Sequence, residues 1–365
     1  MFWLETAYKR GKRVAEYPAF DEGNIMKSIL KAAAFGIAAL GLTVGAASAQ
    51  GVMQKVKERG QVICGTGLGI AGFGMPDEKG VWKGIDIDYC RAIAAAILND
   101  PMKVKTVSLT AKDRFTALQS GEIDVLIRTT TWTMSRDTSL GLNFAGINYY
   151  DGQGFMVRKS MNIKSALELN GASVCTQQGT TTELNLADYF RANKMKYEVV
   201  AFVTNDETIK AYEAGRCDVF TTDASGLFAE RLKFAKPDDH MILPEIISKE
   251  PLAASVRHGD DQWFDLVKWV HYAMLNAEEL GVTQANVDQM LKSDNPEIKR
   301  LLGTEGKFGE MIGVSNDWVV RIVKNVGNYG EVFERNVGMG SPLKIERGKN
   351  NLWTKGGLQY APPIR

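Results

Sequence analysis

A threonine-rich loop that ends in an arginine is the chemically most informative stretch of the chain. Segment 129–136 reads Thr-Thr-Thr-Trp-Thr-Met-Ser-Arg and follows an apolar run that is typical of a buried strand. In open α/β folds ligands bind outside the carboxyl ends of the strands, so we expect this loop to face a cleft. A guanidinium binds a carboxylate through two parallel hydrogen bonds, and hydroxyls can donate to the remaining lone pairs. Arg136 and Thr131 are therefore a candidate anion site.

Two further stretches complete the candidate site. Segment 178–182, which includes Thr180 and Thr181, lies between a predicted strand and a predicted helix. Free backbone N–H groups and the helix dipole favour negative charge at such a position. Asp223 closes another predicted strand and could accept hydrogen bonds from an ammonium group. Carboxylate donors beside an ammonium acceptor fit an α-amino acid.

Each of these signals also has a structural interpretation. A threonine-rich loop is often turn chemistry, and a single arginine is usually a solvated surface charge. Segment 179–182 could serve only to cap the next helix, and Asp223 with Ser225 could cap the helix that follows them. Their common position at the ends of strands favours the binding interpretation.

The elements that must position these residues alternate between short apolar runs and longer amphipathic stretches, which predicts an α/β fold. Two similar series are present, since Ser-Gly-Glu-Ile-Asp at 120–124 is matched by Ala-Gly-Arg-Cys-Asp at 214–218. Two lobes of similar build are therefore expected. We predict strands at 61–66, 103–109, 123–127, 172–177, 197–202 and 218–222, and helices at 85–98, 111–120, 183–193, 206–214 and 261–280.

Two extended stretches, 149–158 and 252–256, are candidate hinge strands between the lobes. We place lobe 1 at 50–152 and 254–365 and lobe 2 at 153–253. The helix at 261–280 should pack on lobe 1 through its apolar face, which comprises Trp263, Val267, Val270, Met274 and Ala277. The last 50 or so residues are rich in Gly and Asn, and we expect an irregular tail there.

Composition excludes several classes of function. Among 365 residues, 44 Lys and Arg nearly balance 43 Asp and Glu, so the net charge offers no footprint for nucleic acid. The three histidines, His240, His258 and His271, are scattered and have no neighbouring cysteine at a metal-binding spacing. We therefore expect no bound metal, no cofactor and no nucleic-acid partner.

Residues 26–49 have the order of a secretory signal peptide. Two lysines precede an apolar, glycine-containing run, and Ala47-Ser48-Ala49 matches a cleavage site, so we predict cleavage after Ala49. A membrane anchor is the alternative, but the apolar run is shorter than the ~20 residues that span a bilayer. Residues 1–25 resemble neither signal nor core, and we interpret them as a non-native extension. No lipobox cysteine stands at the predicted cleavage site, so lipid tethering is not expected.

Export would bring the four cysteines into an oxidising compartment, where three pairings are possible. We favour Cys64 with Cys90 and Cys175 with Cys217, because each bridge then stays within one lobe. Four buried free thiols are the alternative.

The sequence resembles the periplasmic amino-acid-binding proteins of ABC importers (solute-binding protein family 3), and among them the general L-amino-acid-binding type. The resemblance spans nearly all of 51–365. It implies a two-lobed type II periplasmic-binding-protein fold, free L-amino acids as ligands, permease subunits as partners and a monomeric state. It also implies that Arg136 grips the ligand α-carboxylate with help from Thr129, Thr131 and Thr181, while Asp223 binds the α-ammonium. The matching stretches are Gly84–Arg91, Leu118–Val125, Thr130–Thr133 with Arg136, Tyr149–Phe155, Gln178–Asn185, Gly215–Asp218 and Thr221–Asp223.

One position departs from the family pattern. Many members with narrow specificity have Tyr or Phe in the loop after the first strand, whereas Ile70 stands here and Phe73, three residues on, is expected in the core. A missing aromatic wall fits a broad range of side chains. The alternatives are a periplasmic enzyme on the same fold, such as a dehydratase of cyclic amino-acid precursors, which would need a general acid in the cleft, and a sensor ectodomain, which would need a transmembrane helix.

Overall fold

The structure is a computed structural model that describes residues 50–365, so the predicted extension at 1–25 and signal peptide at 26–49 lie outside the described residues. The strands are β1 Val62–Thr66, β2 Met75–Pro76, β3 Trp82–Lys83, β4 Val104–Ser108, β5 Val125–Leu126, β6 Leu142–Asp151, β7 Gln153–Arg158, β8 Ala172–Gln177, β9 Tyr197–Phe202, β10 Val219–Asp223, β11 His240–Ile242 and β12 Glu250–Arg257. The α-helices are α1 Val52–Arg59, α2 Ile85–Leu98, α3 Arg114–Ser120, α4 Met134–Ser139, α5 Thr181–Ala192, α6 Asn205–Glu213, α7 Ala224–Arg231, α8 Asp261–Glu279, α9 Val287–Met290, α10 Pro296–Leu302, α11 Phe308–Met311, α12 Trp318–Asn325 and α13 Tyr329–Asn336. Short 3-10 segments lie at Lys159–Met161, Ala166–Glu168, Pro237–Asp239, Gly348–Asn350 and Trp353–Lys355.

Two sheets, each of five strands in the described part of the chain, form the centres of two lobes. The first has the order β4-β1-β5-β12-β6 and the second the order β11-β7-β10-β8-β9. Strand β1 pairs in parallel with β4 and β5, and β8 pairs in parallel with β9 and β10. One strand in each sheet, β12 or β7, runs antiparallel to both of its neighbours. The predicted α/β fold with two lobes is confirmed, and both sheets are mixed, because two of the four strand pairings in each sheet are parallel and two are antiparallel.

The chain crosses between the sheets twice. Strand β6 ends in the first sheet at Asp151, and β7 begins in the second at Gln153, so Gly152 alone separates them. The chain returns in β12, whose first residue, Glu250, pairs with Asp151. The lobe boundary expected at residue 253 thus falls inside a strand that belongs to the first sheet along its whole length.

The first lobe has the larger core. The predicted apolar face of α8 is buried as expected, and the helix packs against β6 and α2. In the second lobe, one cluster that includes Phe155, Leu186 and Phe190 and another that includes Tyr212 and Phe220 pack among its strands and helices.

The expectation of an irregular tail over the last 50 residues was wrong in part. Helices α12 and α13 lie within it, and both of them pack on α2 and on α8. Trp318, Val319, Ile322 and Val323 are buried, and their spacing is that of one helix face. Most of the Gly and Asn residues that suggested a tail lie between and after these helices, although Asn325, Gly330 and Asn336 lie within them.

Two disulfides join Cys64 to Cys90 and Cys175 to Cys217, the pairing favoured from the sequence. The first ties β1 to α2, and the second ties β8 to the residues before β10. In the part of the chain that the structure describes, no helix combines the length and apolar character that crossing a membrane requires.

Candidate functional site

A cavity of about 40 Å³ lies between the lobes at the carboxyl ends of the parallel strands. We call it the main cavity. Its walls come from both lobes, which is the position that ligands take in open α/β sheets. The first lobe contributes Ile70, Phe73, Arg114, Arg128, Thr129 and Thr131, and the second contributes Gln177, Thr180, Thr181, Thr182, Asn205, Thr222, Asp223, Ser225 and Gly226.

The lobes touch across this cavity. The hydroxyls of Thr131 and Thr181 lie 3.3 Å apart, although they belong to different lobes. Lys233, two residues after α7, donates a hydrogen bond of 3.0 Å to the carbonyl of Gly69 in the first lobe. The structure is therefore in a closed arrangement.

Thr129 and Thr131 lie on the turn that follows β5. Thr129 has φ of +40°, a left-handed conformation that a β-branched residue rarely adopts. Its N–H donates to Asp86 Oδ2 at 3.0 Å, which holds the turn against the first turn of α2. Backbone strain of this kind persists only where the surrounding structure maintains it, and it is found most often at functional sites.

Thr180 and Thr181 lie at the start of α5, and the helix-capping interpretation applies to only one of them. Thr180 is the N-cap: its Oγ1 accepts from the N–H of Glu183 at 3.2 Å and donates to the carbonyl of Gln177 at 2.6 Å. The capping interpretation is therefore correct for Thr180, which also lines the main cavity. Thr181 instead directs its hydroxyl to Glu250 at 2.7 Å.

Glu250 is a buried carboxylate at the hinge that the sequence analysis missed. Its Oε2 accepts from Thr131 at 2.6 Å and from Thr181, so one oxygen joins the two lobes. Its Oε1 accepts from Asn185 at 2.6 Å and from Ser248 at 2.7 Å. The two hydroxyls expected to meet a ligand carboxylate thus already bind a carboxylate of the protein. The local sequence around 250 has no feature that signals this role.

Arg136 is buried, so its interpretation as a solvated surface charge is wrong. Its Nη1 donates to the carbonyl of Thr131 at 2.8 Å, and its guanidinium carbon lies 5.1 Å from the ring centre of Phe115. Arg136 is not among the residues that line the main cavity, but Thr131, to which its guanidinium donates, does line that cavity. Burial lowers the pKa of Arg136, while the charges of Glu250 and Asp223 oppose that shift.

Two other buried arginines do line the main cavity, and the sequence analysis did not select them. Arg114 donates long hydrogen bonds to Thr130 Oγ1 at 3.3 Å and to the carbonyl of Arg128 at 3.5 Å. Arg128 donates from Nε to the carbonyl of Leu109 at 3.1 Å. Burial lowers the pKa of Arg128 to about 10 and that of Arg114 well below its usual value. Arg128 directly precedes the threonine loop, and this position at the end of a strand was the available signal.

Asp223 supplies negative charge to the same cavity. Its side chain makes no capping hydrogen bond to α7, and the hydroxyl of Ser225 bonds to Asp151 instead, so the capping interpretation of this pair is wrong. Desolvation raises the pKa of Asp223 well above its usual value, the charges of Asp151 and Glu250 raise it further, and Arg114 and Arg136 oppose the shift. A cation placed beside Asp223 would favour its ionised form.

Ile70 and Phe73 form an apolar part of the wall. Phe73 is buried, as expected, and packs edge-on against Tyr149 with ring centres 5.2 Å apart. It therefore belongs both to the core and to the cavity lining.

Comparison with known proteins identifies relatives over most of the chain. Residues 62–286 match the model of the bacterial extracellular solute-binding proteins, family 3. The general L-amino acid-binding periplasmic protein AapJ of Rhizobium johnstonii is 60% identical over 93% of this chain and all of its own length. The glutamate/glutamine/aspartate/asparagine-binding protein BztA of Rhodobacter capsulatus is 54% identical over 92% of this chain and 99% of its own length. A solved structure, an ABC transporter periplasmic binding protein from Brucella ovis with glutathione bound, is 62% identical, with a TM-score of 0.85 over 86% of this chain and 99% of that one.

Proposed function

Because the chain belongs to the bacterial extracellular solute-binding proteins of family 3, we propose that it binds free L-amino acids between its lobes and delivers them to an ABC importer. The observation that carries this proposal is the pairing of opposite charges in one enclosed space. Arg114 lines the main cavity together with Asp223, and Arg136 lies close enough to Arg114 for its charge to lower the pKa of that guanidinium. An amino-acid zwitterion carries a carboxylate and an ammonium group a few bonds apart. Its carboxylate can therefore pair with the positive charge while its ammonium group pairs with Asp223.

In this proposal the ligand ammonium group lies against Asp223, and the α-carboxylate lies on the side of Thr129, Thr131, Thr181 and Arg136. The hydroxyls of Thr131 and Thr181 both donate to Glu250, and each hydroxyl has only one proton to donate. A ligand carboxylate at these threonines would therefore have to compete with Glu250 for the same donors. Thr180, whose hydroxyl caps α5, would contribute through its position in the wall.

The relatives support this class of ligand. AapJ is described as a general L-amino acid-binding protein, and BztA as a protein for glutamate, glutamine, aspartate and asparagine. The Brucella protein holds glutathione, a peptide that also has a free amino-acid end. A broad range of L-amino acids is the proposal that fits these relatives together with Ile70 in the cavity wall.

We place the protein in the periplasm, because its relative AapJ is described as a periplasmic protein. We propose that it is a monomer there and that it binds the permease subunits of its importer. The signal peptide at 26–49 would be removed after Ala49 on export. Amino-terminal sequencing of the protein recovered from the periplasm tests that position.

We further propose that the protein is a receptor and not an enzyme, since AapJ and BztA are both described as binding proteins. A dehydratase of cyclic amino-acid precursors would need a general acid in the cleft, and Asp223 is the cavity residue whose pKa shift suits such a role. The proposal assigns Asp223 to the ligand ammonium instead. Turnover of a prephenate-like compound by the purified protein would contradict this assignment.

A thermal-shift screen of residues 50–365 against the twenty L-amino acids tests the central proposal. A ligand that binds only the folded state raises the unfolding midpoint. We expect shifts with many amino acids, and none with propionate or ethylamine, which each present only one of the two charged groups of alanine. Arg136→Ala should weaken binding by ~2 kcal/mol or more, because a buried ligand carboxylate loses charge-assisted hydrogen bonds.

Arg191→Ala, which removes an exposed guanidinium on α5 that does not line the main cavity, is the matched control for this variant. No shift with any amino acid, from well-folded protein, would overturn the proposed function. Unchanged affinity in Arg136→Ala would leave amino-acid binding in place but remove Arg136 from the site.

A further inference from the structure

Arg128 lies at the junction of two cavities. A second cavity of about 90 Å³, which we call the side cavity, shares four wall residues with the main cavity: Ile70, Arg128, Gln177 and Asn205. Its remaining wall comes from Leu68, Gly69, Thr204 and Asp206. If the α-ammonium and α-carboxylate groups of a ligand occupy the main cavity, its side chain can extend into the side cavity. Arg128 lines both cavities.

The guanidinium of Arg128 has hydrogen-bonding capacity to spare. Its residue is only 6% exposed. Nε donates to the carbonyl of Leu109, while Nη1 and Nη2 have no hydrogen-bond partner among the described residues. No ion pair within 4.0 Å joins Arg128 to a carboxylate of residues 50–365, although other arginines of the chain form such pairs. A buried charge without a partner is costly, so this arrangement is suited to an anion that arrives with the ligand.

The charges around Arg128 do not remove this capacity. Asp86 and Asp223 stabilise its charged form, while Arg114 and Arg136 lie close enough to repel it or each other. Asp86 already accepts from the N–H of Thr129 and from Asn148, and Asp223 is assigned to the ligand ammonium. Asp206 also lines the side cavity, and its negative charge is paired with Lys233 at 3.8 Å and not with Arg128.

We propose that Arg128 is the specificity-determining residue for a second carboxylate, so that the site favours L-amino acids with an acidic side chain over their neutral isosteres. This inference rests on the proposed function, since it places the α-groups in the main cavity. The two free nitrogens of the guanidinium fork match a side-chain carboxylate bidentately, whereas a side-chain amide offers one neutral acceptor. Neutral amino acids would still bind through their α-groups.

The test compares L-glutamate, L-glutamine and L-alanine by isothermal titration calorimetry in the wild-type chain 50–365 and in Arg128→Gln. Charge-assisted hydrogen bonds to a buried guanidinium are lost only for glutamate, so the ratio of the glutamine Kd to the glutamate Kd should fall at least about tenfold. The alanine Kd should change less than about threefold. Lys112→Gln is the matched control: it removes the same charge from an exposed residue that lines neither cavity, so the ratio should hold.

The outcomes separate this inference from the function on which it rests. A wild-type ratio preserved in Arg128→Gln overturns the role of Arg128, and so does an equal loss of all three ligands, which would place the α-carboxylate at Arg128. Binding of none of the three by the wild type overturns the proposed function itself. If Arg128→Gln does not fold, Arg128→Met, which has a flexible apolar side chain suited to a buried position, provides the same comparison.

Discussion

At the scale of single residues, Asp86 holds the strained turn that forms one wall of the main cavity. Its Oδ2 accepts from the N–H of Thr129, and its Oδ1 accepts from Asn148 at 3.2 Å. Burial raises the pKa of Asp86 to about 7. The two hydrogen bonds and the charge of Arg128 lower this pKa but do not offset the effect of burial. The turn at Thr129 is therefore maintained at a cost in stability whenever Asp86 is ionised.

Because the folded pKa of Asp86 is raised, its contribution to the free energy of unfolding decreases as pH rises. Between the unfolded pKa of 3.8 and the folded pKa of about 7, the folded state binds more protons at Asp86 than the unfolded state does. The contribution of Asp86 to the free energy of unfolding is therefore fully present below the unfolded pKa and is lost as pH rises towards 7, with a slope of up to ~1.4 kcal/mol per pH unit.

Asp86→Asn should remove this contribution, because an amide keeps an acceptor for Thr129 and does not titrate in this range. We expect the unfolding free energy of the wild type, relative to the variant, to decrease between pH 5 and pH 8 in urea titrations. Asp151, whose burial raises its pKa to about 6, contributes in the same direction in both proteins and cancels in the difference. A difference that is constant with pH would contradict the assignment.

Residues near the ends of strands were predictable, whereas buried charges elsewhere in the chain were not. Thr129, Thr131, Thr181 and Asp223 come from distant parts of the chain, and the strand-end rule together with the family resemblance predicted a common cleft for them. Arg114 and Glu250, which the sequence analysis missed, become significant only through burial, whereas Arg128 also had a signal in its position at the end of a strand. Burial depends on tertiary packing, and no local pattern distinguishes a buried arginine from the surface arginines that are far more common.

At the scale of elements, regular patterns gave accurate bounds. The helix predicted at 85–98 and the strands predicted at 172–177 and 197–202 coincide with α2, β8 and β9. Strand β5 is shorter than the predicted 123–127, because strand length depends on pairing partners that the sequence does not name. Helix α13 was missed although Asn328 and Glu331 form a capping box at its start, a signal readable from the spacing.

The two disulfides should stabilise the lobes without shaping the site. They close loops with sequence separations of 26 and 42 residues, for which chain entropy predicts ~3–4 kcal/mol each. We expect the double variants Cys64→Ala with Cys90→Ala and Cys175→Ala with Cys217→Ala to lower the free energy of unfolding in urea by about these amounts. The amino-acid Kd should change less than about twofold, because none of the four cysteines lines the main cavity. A large loss of affinity at unchanged stability would show that the bridges position the ligand.

Considered as a whole, the molecule has two lobes that are joined by two crossings of the chain, one between β6 and β7 and one that leads into β12. Gly152 separates β6 from β7, and its carbonyl accepts from the N–H of Ala224 at 2.7 Å. A Cβ at this position would lie 2.2 Å from Ile246 Cγ2 and 2.8 Å from the carbonyl of Ser248, both on the returning segment. The two crossing segments therefore approach closely only because residue 152 has no side chain.

Ligand binding should compact the molecule, because contacts from both lobes form together only in the closed arrangement. We expect small-angle scattering of the wild-type chain 50–365 to show a smaller radius of gyration when a bound amino acid is added. Gly152→Ala should push the crossings apart, so that at the same ligand concentration the protein stays more extended and the Kd rises. No compaction of the wild type at saturating ligand would contradict closure.

A second substitution separates hinge geometry from general damage. Ile246 is half exposed, so Ile246→Ala alone should change neither the radius of gyration nor the affinity by much. Combined with Gly152→Ala it removes the nearer obstacle and should restore part of the compaction and part of the affinity, while the carbonyl of Ser248 keeps the rescue incomplete. An identical defect in the single and double variants would mean that the added methyl group acts through β6 and β7 themselves and not through the spacing of the two crossings.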